Sequence, residues 1–105
     1  MKQNIFKRCI AYNIHKSVNS TSKKYIIFIN ESMAFKPVTA IPGVGPVYGR
    51  RLAEKGFSLA PQVYGKYLQK NEAEFKLWFQ EICGASAKTQ IDCCRAFHEW
   101  SDNFL

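Results

Sequence analysis

The sequence has few acidic residues, few cysteines and no long apolar run. Only eight of its 105 residues are Asp or Glu, against fifteen Lys or Arg, and the formal net charge is +7. This excess of positive charge favours a polyanionic partner, with nucleic acid ahead of an acidic membrane surface. No apolar segment approaches the roughly 20 residues that a membrane-spanning helix needs. We therefore expect no membrane insertion.

The four cysteines, at positions 9, 83, 93 and 94, lack the paired spacing of a zinc ribbon, and no secretory signal precedes them. Reduced thiols in an intracellular protein are the favoured interpretation. Cys94 and His98 are four residues apart on a predicted helix, a spacing that fits a shared metal but is far more often ordinary packing. We predict no metal site and no cofactor.

The length of 105 residues is that of one domain, and a content of 47% hydrophobic and 14% aromatic residues suffices for a packed core. Residues 1–33 contain six Lys or Arg and a single acid, Glu31. Residues 1–20 lack clean periodicity and predict a flexible basic extension. Their lack of acids also suits a mitochondrial presequence, which is the less favoured interpretation. The compact domain is predicted to cover residues 21–105.

From residue 35 onward the hydrophobic spacing is helical and the helix breaks are regular. We predict a short helical turn at 38–41, a helix that starts at Pro46, a third that starts near residue 60, and two more before the end of the sequence. The predicted caps and stops are Gly56, Asn71 with Glu74, Gly84 and Ser86. The buried face of the last helix is predicted to carry Ile91, Cys94, Phe97, Trp100 and Phe104.

The segment KKYIIFIN, residues 23–30, does not fit this helical pattern. Its β-branched and aromatic residues favour a strand if judged by propensity alone. No strand pattern follows residue 31. The fold class predicted for the compact part is therefore all-α, a bundle of about five short helices.

The stretch from Ile41 to Leu52, IPGVGPVYGRRL, carries the predicted chemistry. Gly43 and Gly45 allow a tight bend, with positive φ where needed, and let a ligand approach the backbone closely. Val44 between them is expected to point inward and pin the bend. Pro46 then starts a helix whose first amides are unpaired and carry the positive end of the helix dipole. A phosphate oxygen satisfies such donors.

The predicted phosphate donors are the amides of Gly45, Val47 and Tyr48, and Arg50 and Arg51 lie one turn further on, within reach of neighbouring phosphates. Amide contacts to phosphate position a protein on nucleic acid without reporting the base sequence. Binding is therefore predicted to be independent of sequence. The alternative interpretation of the glycines is a purely structural turn between helices.

The chain resembles the barrier-to-autointegration factor family of small chromatin and nuclear-envelope proteins. The resemblance runs from about Thr21 to Leu105. It rests on these segments in order: KPV at 36–38, GVG at 43–45, Gly49, GF at 56–57, Gly65, Phe75, Trp78, CGA at 83–85, AK at 87–88, DC at 92–93, EW at 99–100 and FL at 104–105.

The resemblance implies a SAM-like helical bundle with a helix-hairpin-helix motif and no enzymatic activity. It further implies a homodimer that bridges two DNA duplexes without sequence preference and that organises chromatin and the nuclear envelope. The implied partners are LEM-domain proteins, lamins and histones. The implied location is the nucleus, at the nuclear envelope and on chromatin, and also the cytoplasm.

By position, the resemblance implies that Lys24, Arg51 and Lys88 are cationic DNA contacts beside the hairpin. It implies phosphorylation at Thr21 and Ser22, where added negative charge expels the DNA. The chain departs from the family pattern at Ile91, where the family has a basic residue.

The same resemblance places Gly65 at the dimer interface, where a missing side chain allows close approach. Tyr64, Leu68 and Trp78 are assigned to this interface too. Near Lys70 the chain is about two residues shorter than the family pattern, at the end of the third helix.

Two other functions compete with this interpretation. An enzyme with a similar hairpin needs a base-flipping pocket with a placed carboxylate or lysine, or a metal cluster. The seven acids after residue 34 fall mainly on predicted helix faces and form no motif, so we predict no catalytic residues. A divergent relative that keeps the fold but acts as a protein-binding scaffold is the other alternative. Gel shifts with unrelated duplexes distinguish it from a DNA-binding protein.

Overall fold

The structure, a computed structural model, describes residues 22–105, and the extension predicted for residues 1–20 lies outside this range. The described chain forms five α-helices and one 3-10 helix, with no strand beyond an isolated bridge between Pro37 and Leu59. The all-α prediction is confirmed. In chain order the helices are α1 (Lys23–Asn30), the 3-10 helix (Val38–Ala40), α2 (Pro46–Glu54), α3 (Ala60–Gln69), α4 (Glu72–Cys83) and α5 (Ala87–Phe104).

Residues 23–30 are helical, so the strand that propensity alone favours for KKYIIFIN is wrong. Tyr25, Phe28 and Ile29 recur at helical spacing and are buried, which places one face of α1 against α5. The side chain of Asn103 donates to the carbonyl of Ile29 at 2.8 Å, satisfying a carbonyl that the helix end leaves unpaired. Burial of a helical face and this buried bond together outweigh the weak local preference for a strand.

The predicted helix starts and stops are confirmed. Pro46 occupies the first turn of α2, where its missing N–H removes no helical hydrogen bond. Asn71 and Glu74 form the reciprocal capping box of α4, at 2.8 and 3.2 Å. Gly56 and Gly84 adopt φ values of +94° and +77°, a region that favours glycine at helix ends.

The core lies where α4 and α5 meet α1 and α3, and aromatic rings dominate it. Phe28, Phe75, Phe79 and Phe97 are fully buried. Phe97 contacts the rings of Phe28, Tyr64 and Phe75 at centroid distances between 5.2 and 6.2 Å. These separations lie in the range at which aromatic pairs stabilise a core beyond their buried area alone.

The prediction that Ile91 belongs to the buried face of α5 is wrong, because Ile91 is 49% exposed. Each residue advances an α-helix by about 100°, so Ile91 lies almost opposite Cys93, which is fully buried. Cys94 and Phe97 are buried as predicted. Trp100 and Phe104, also predicted for this face, are half-buried. The buried face of α5 therefore consists of Thr89, Cys93, Cys94, Ala96, Phe97 and Asn103.

Candidate nucleic-acid interface

The bend between the 3-10 helix and α2 is a short hairpin in which Gly43 is required by both conformation and space. Its φ is +90°, and a Cβ there would lie 3.2 Å from the Cα of Thr89. Val44 follows and is fully buried, as predicted, with its amide bonded to the carbonyl of Ile41 at 2.9 Å. The hairpin is thus anchored from inside by Val44 and closed on one side by α5.

Gly45 differs from Gly43 because nothing in the described protein requires it to be glycine. Its backbone is extended, with φ of −97° and ψ of −166°. The sequence allowed a positive φ at either hairpin glycine, and of the two only Gly43 adopts one. A Cβ added at Gly45 would meet no described atom within 4 Å. The space in front of this residue is open toward the outside of the molecule.

Directly behind this open space lies the amino terminus of α2. The first intrahelical bond runs from the Gly49 amide to the Gly45 carbonyl at 2.8 Å. Helix geometry therefore leaves the amides of Val47 and Tyr48 without a partner inside the helix, and Gly45, the N-cap residue, has no side chain to accept from them. The helix dipole adds partial positive charge at this point. The arrangement fits an anion.

Lys24 brings a full positive charge to the same hairpin. Its ammonium group donates to the carbonyl of Val44 at 2.7 Å, so α1 holds the hairpin between its two glycines. Burial lowers the pKa of Lys24 from its ordinary value, because desolvation disfavours the charged form. The residue is therefore both a cation at the hairpin and a structural link to it.

The first turn of α5 lies against the hairpin as well. The hydroxyl of Thr89 donates to the carbonyl of Gly43 at 3.3 Å, and the hydroxyl of Tyr48 accepts from the amide of Ser86 at 3.1 Å. Lys88 extends from this turn with a side chain that is 81% exposed and pairs with Asp92 at 2.8 Å. The side chains of Thr89 and Tyr48 were not singled out from the sequence, since neither residue type carries a signal for such a link.

The two arginines after the hairpin have different surroundings. Arg50 is exposed. Arg51 donates from Nη1 to the carbonyl of Cys83 at 3.0 Å, at the end of α4. This bond satisfies a carbonyl that the helix end leaves unpaired, and the positive charge of Arg51 interacts favourably with the negative end of the helix dipole. The structure therefore gives Arg51 a capping role that the sequence did not suggest.

Of the two residues implied as phosphorylation sites, Thr21 lies outside the described residues. Ser22 is exposed and caps α1, its hydroxyl accepting from the Tyr25 amide at 3.1 Å. It is two residues from Lys24, whose ammonium group contacts the hairpin.

The residues assigned to a dimer interface lie on α3 and α4, and they differ in exposure. Leu68 is 60% exposed, and a Cβ added at Gly65 would meet open space. Trp78 is half-buried, with its ring edge-on to Phe57 at 5.2 Å. Tyr64 is buried within the chain, where its hydroxyl bonds to Ser101 at 2.6 Å. An open groove beside Trp78 is lined by Gln69, Lys70, Glu74, Leu77 and Glu81.

Other chemistry finds little support in the described part of the chain. Residues 22–105 contain no group of three or more His, Cys, Asp or Glu that would hold a metal ion. Cys83, Cys93 and Cys94 are free and buried, and His98 pairs with Asp102 at 3.5 Å. Within the same range, the helices are too short or too polar to cross a bilayer.

The fold and the hairpin define a small all-helical protein built around a helix-hairpin-helix motif with basic side chains beside it. The family model described as Barrier to autointegration factor matches residues 19–104. The chain belongs to the barrier-to-autointegration factor family.

Relatives named Barrier-to-autointegration factor are similar over most of this chain. The protein of Danio rerio is 44% identical over 90 residues, which are 84% of this chain and 100% of the relative. The Homo sapiens protein is 42% identical over 88 residues, 82% of this chain and 99% of the relative. The Drosophila melanogaster protein is 40% identical over 90 residues, 84% of this chain and 100% of the relative.

Proposed function

We propose that this protein binds double-stranded DNA without regard to base sequence, through phosphate contacts at the hairpin. The observation that carries the proposal is the open, uncapped start of α2. Val47 and Tyr48 offer free amides there, and Gly45 leaves room for a phosphate to approach them. Free amides at a helix start bind phosphate readily, because the bonds are charge-assisted and the dipole has the favourable sign.

The lysines beside the hairpin support the same proposal. Lys24 places its charge within hydrogen-bond distance of the Val44 carbonyl, so DNA bound at the amides meets that charge as well. Lys88 is paired with Asp92 on the surface, and exposed pairs of this kind contribute only about 0–1 kcal/mol. Lys88 therefore exchanges its partner for a phosphate at little cost. Arg50, also exposed, is a further contact to a neighbouring phosphate.

Contacts of this kind read the sugar-phosphate strand and not the base edges. We therefore expect similar affinity for unrelated duplexes and a steep dependence on salt, because each neutralised phosphate releases counterions. Each phosphate contact steepens the slope of log K against log salt by about 0.9.

We further propose that the protein is a homodimer whose two hairpins face away from each other, so that one dimer joins two duplexes. The exposed Leu68, the open space at Gly65 and the half-buried Trp78 on α3 and α4 support an interface there. In a twofold dimer the same patch serves both subunits. Bridging of duplexes compacts DNA, which suits chromatin organisation and assembly of the nuclear envelope.

The resemblance adds partners and regulation to this proposal. LEM-domain proteins, lamins and histones are the proposed protein partners, and the nucleus, chiefly the nuclear envelope and chromatin, is the proposed location, with a cytoplasmic fraction. We propose Thr21 and Ser22 as phosphorylation sites. A phosphate on Ser22 would place about −1.5 to −2 charges two residues from Lys24.

A divergent scaffold with weak DNA binding is the second candidate. Two observations favour it: Arg51 is engaged with the Cys83 carbonyl, and Ile91 supplies an exposed apolar side chain where the family pattern has a basic one. Both reduce the number of cations available to DNA. The scaffold predicts no duplex binding even at low salt.

The test combines affinity with mass. Fluorescence anisotropy with three unrelated duplexes of equal length, at several salt concentrations, is expected to give affinities within a few-fold of one another. Size-exclusion chromatography with light scattering is expected to give a dimer alone, and a dimer carrying two duplexes when short DNA is in excess. A monomeric mass refutes the bridging proposal. Absence of binding at low salt supports the scaffold.

A further inference from the structure

The side chain of Tyr48 links the hairpin helix to the start of α5. The proposed contact of Tyr48 with DNA uses its main-chain amide and leaves the side chain without a role. Its hydroxyl accepts a hydrogen bond from the amide of Ser86 at 3.1 Å. Ser86 is the N-cap residue of α5, and Lys88 follows it in the first turn. The bond thus joins the start of α2, where the proposed phosphate-binding amides lie, to the start of α5, where Lys88 lies.

A second set of bonds connects the same two places. The hydroxyl of Ser86 donates to that of Thr89 at 3.2 Å, and Thr89 donates to the Gly43 carbonyl at 3.3 Å. Gly43 precedes α2 by three residues and Tyr48 lies in its first turn. These bonds close a ring that runs from the hairpin through α5 to α2. The Tyr48 hydroxyl is the only member of the ring that reaches α5 from α2 itself.

The Ser86–Tyr48 bond is exposed, so water replaces the hydroxyl as acceptor when it is removed. Loss of an exposed neutral bond changes stability little. Its effect on geometry is different, because water does not fix the distance between two helix starts. The contribution of Lys88 to binding depends on where the first turn of α5 lies relative to the hairpin amides.

We infer that Tyr48 is a positioning residue whose hydroxyl, through the Ser86 amide, holds the first turn of α5 where Lys88 and the hairpin amides contact the same DNA strand. This inference rests on the proposed function. It predicts that the side chains of Tyr48 and Lys88 act together in DNA binding although they form no bond with each other.

The experiment is a double-mutant cycle on duplex affinity. Tyr48→Phe removes only the hydroxyl and keeps the ring and the main-chain amide. We expect Tyr48→Phe to weaken binding about two- to fivefold and Lys88→Ala about three- to tenfold, the range expected for one hydrogen bond or one exposed charge. The double variant is expected to bind as weakly as Lys88→Ala alone, within measurement error, because residues that act through one network are not additive.

Tyr67→Phe is the matched control, since it removes one hydroxyl from a ring in the aromatic cluster of α3 and α4. It is expected to bind DNA like the unmodified protein. Both rings are half-buried. Each Phe variant is expected to unfold within about 4 °C of the unmodified protein, since a change of about 0.5 kcal/mol shifts the unfolding midpoint of a domain of this size by about 2–4 °C. In NMR spectra, the amide resonance of Ser86 is expected to shift in Tyr48→Phe and to stay in place in Tyr67→Phe.

Independent effects of Tyr48→Phe and Lys88→Ala, which multiply in the double variant, overturn the inference, as does unchanged affinity of Tyr48→Phe. Gly45→Glu separates this failure from that of the proposed function. If Gly45→Glu loses binding while the cycle is additive, only the role of Tyr48 is rejected. If Gly45→Glu binds DNA normally, the hairpin is not the binding site and both proposals are rejected.

Discussion

Replacing Gly45 with Glu tests the proposed binding surface with little disturbance of the fold. The residue has an ordinary extended backbone, and an added Cβ meets no described atom within 4 Å. A glutamate at this position also lies at the positive end of the α2 dipole, which favours it by about 0.3–1 kcal/mol. The free energy of unfolding is therefore expected to stay the same or to rise slightly.

The loss of DNA binding is expected to be large. A carboxylate about 5 Å from a phosphate, at an effective dielectric constant between 20 and 80, is repelled by roughly 1–3 kcal/mol. The same side chain displaces phosphate from the amides of Val47 and Tyr48, and each charge-assisted bond contributes about 1.5–3 kcal/mol. The sum is at least about 4 kcal/mol, which weakens binding on the order of a thousandfold.

Fluorescence anisotropy at low salt measures the affinity, and urea unfolding followed by circular dichroism measures stability. Ala73→Glu is the matched control, because it puts the same charge on an exposed position in the first turn of another helix, α4. It is expected to reduce affinity no more than a few-fold. The reasoning is refuted if Gly45→Glu and Ala73→Glu bind DNA equally well, or if Gly45→Glu loses binding only because it unfolds.

Three further predictions concern single residues. Gly43→Ala is expected to lower the free energy of unfolding by about 2–3 kcal/mol, because φ is +90° and the new Cβ would press on Thr89; a urea midpoint like that of Gly45→Ala contradicts this. Burial raises the pKa of Cys94 to about 11 from 9.0. The contribution of this neutral thiol to the free energy of unfolding is therefore complete below pH 9 and is lost as the pH rises toward 11. Between pH 8 and pH 10.5 the urea midpoint is expected to fall less in Cys94→Ala than in the unmodified protein. An equal fall in the two proteins refutes the role of the Cys94 thiol in this pH dependence. Ser22→Asp is expected to weaken duplex binding several-fold at low salt while α1 keeps its cap, since aspartate also accepts from the N3 amide; unchanged affinity argues against charge near Lys24 as the regulator.

The helix boundaries follow closely from the sequence because their causes are local. A proline at the first position, a capping box and a glycine with positive φ each act within a few residues. Pro46, the pair Asn71 and Glu74, and Gly84 therefore mark helix ends that the structure confirms. The amides of Val47 and Tyr48 follow from the same local rule, because any helix start leaves its first donors unpaired.

Residues 23–30 show where local rules fail. Their strand propensity is real but weak, and the face made by Tyr25, Phe28 and Ile29 matters only once α5 is present to cover it. The predicted burial of Ile91 was wrong for a related reason, since an apolar residue at approximate helical spacing is compatible with more than one rotation of the helix about its axis. Which rotation is adopted depends on the helices packed against it.

The sequence by itself determined the helical class, the positions of the hairpin and the helix ends, and the free amides of Val47 and Tyr48, because backbone sterics and hydrogen bonding within a few residues decide them. Only the tertiary structure decided that Lys24 reaches the Val44 carbonyl, that Arg51 caps α4, and that Tyr48 holds the first turn of α5. Those contacts join residues 20 to 38 positions apart. No local pattern encodes such pairs, because they exist only after burial of the apolar faces has brought the helices together.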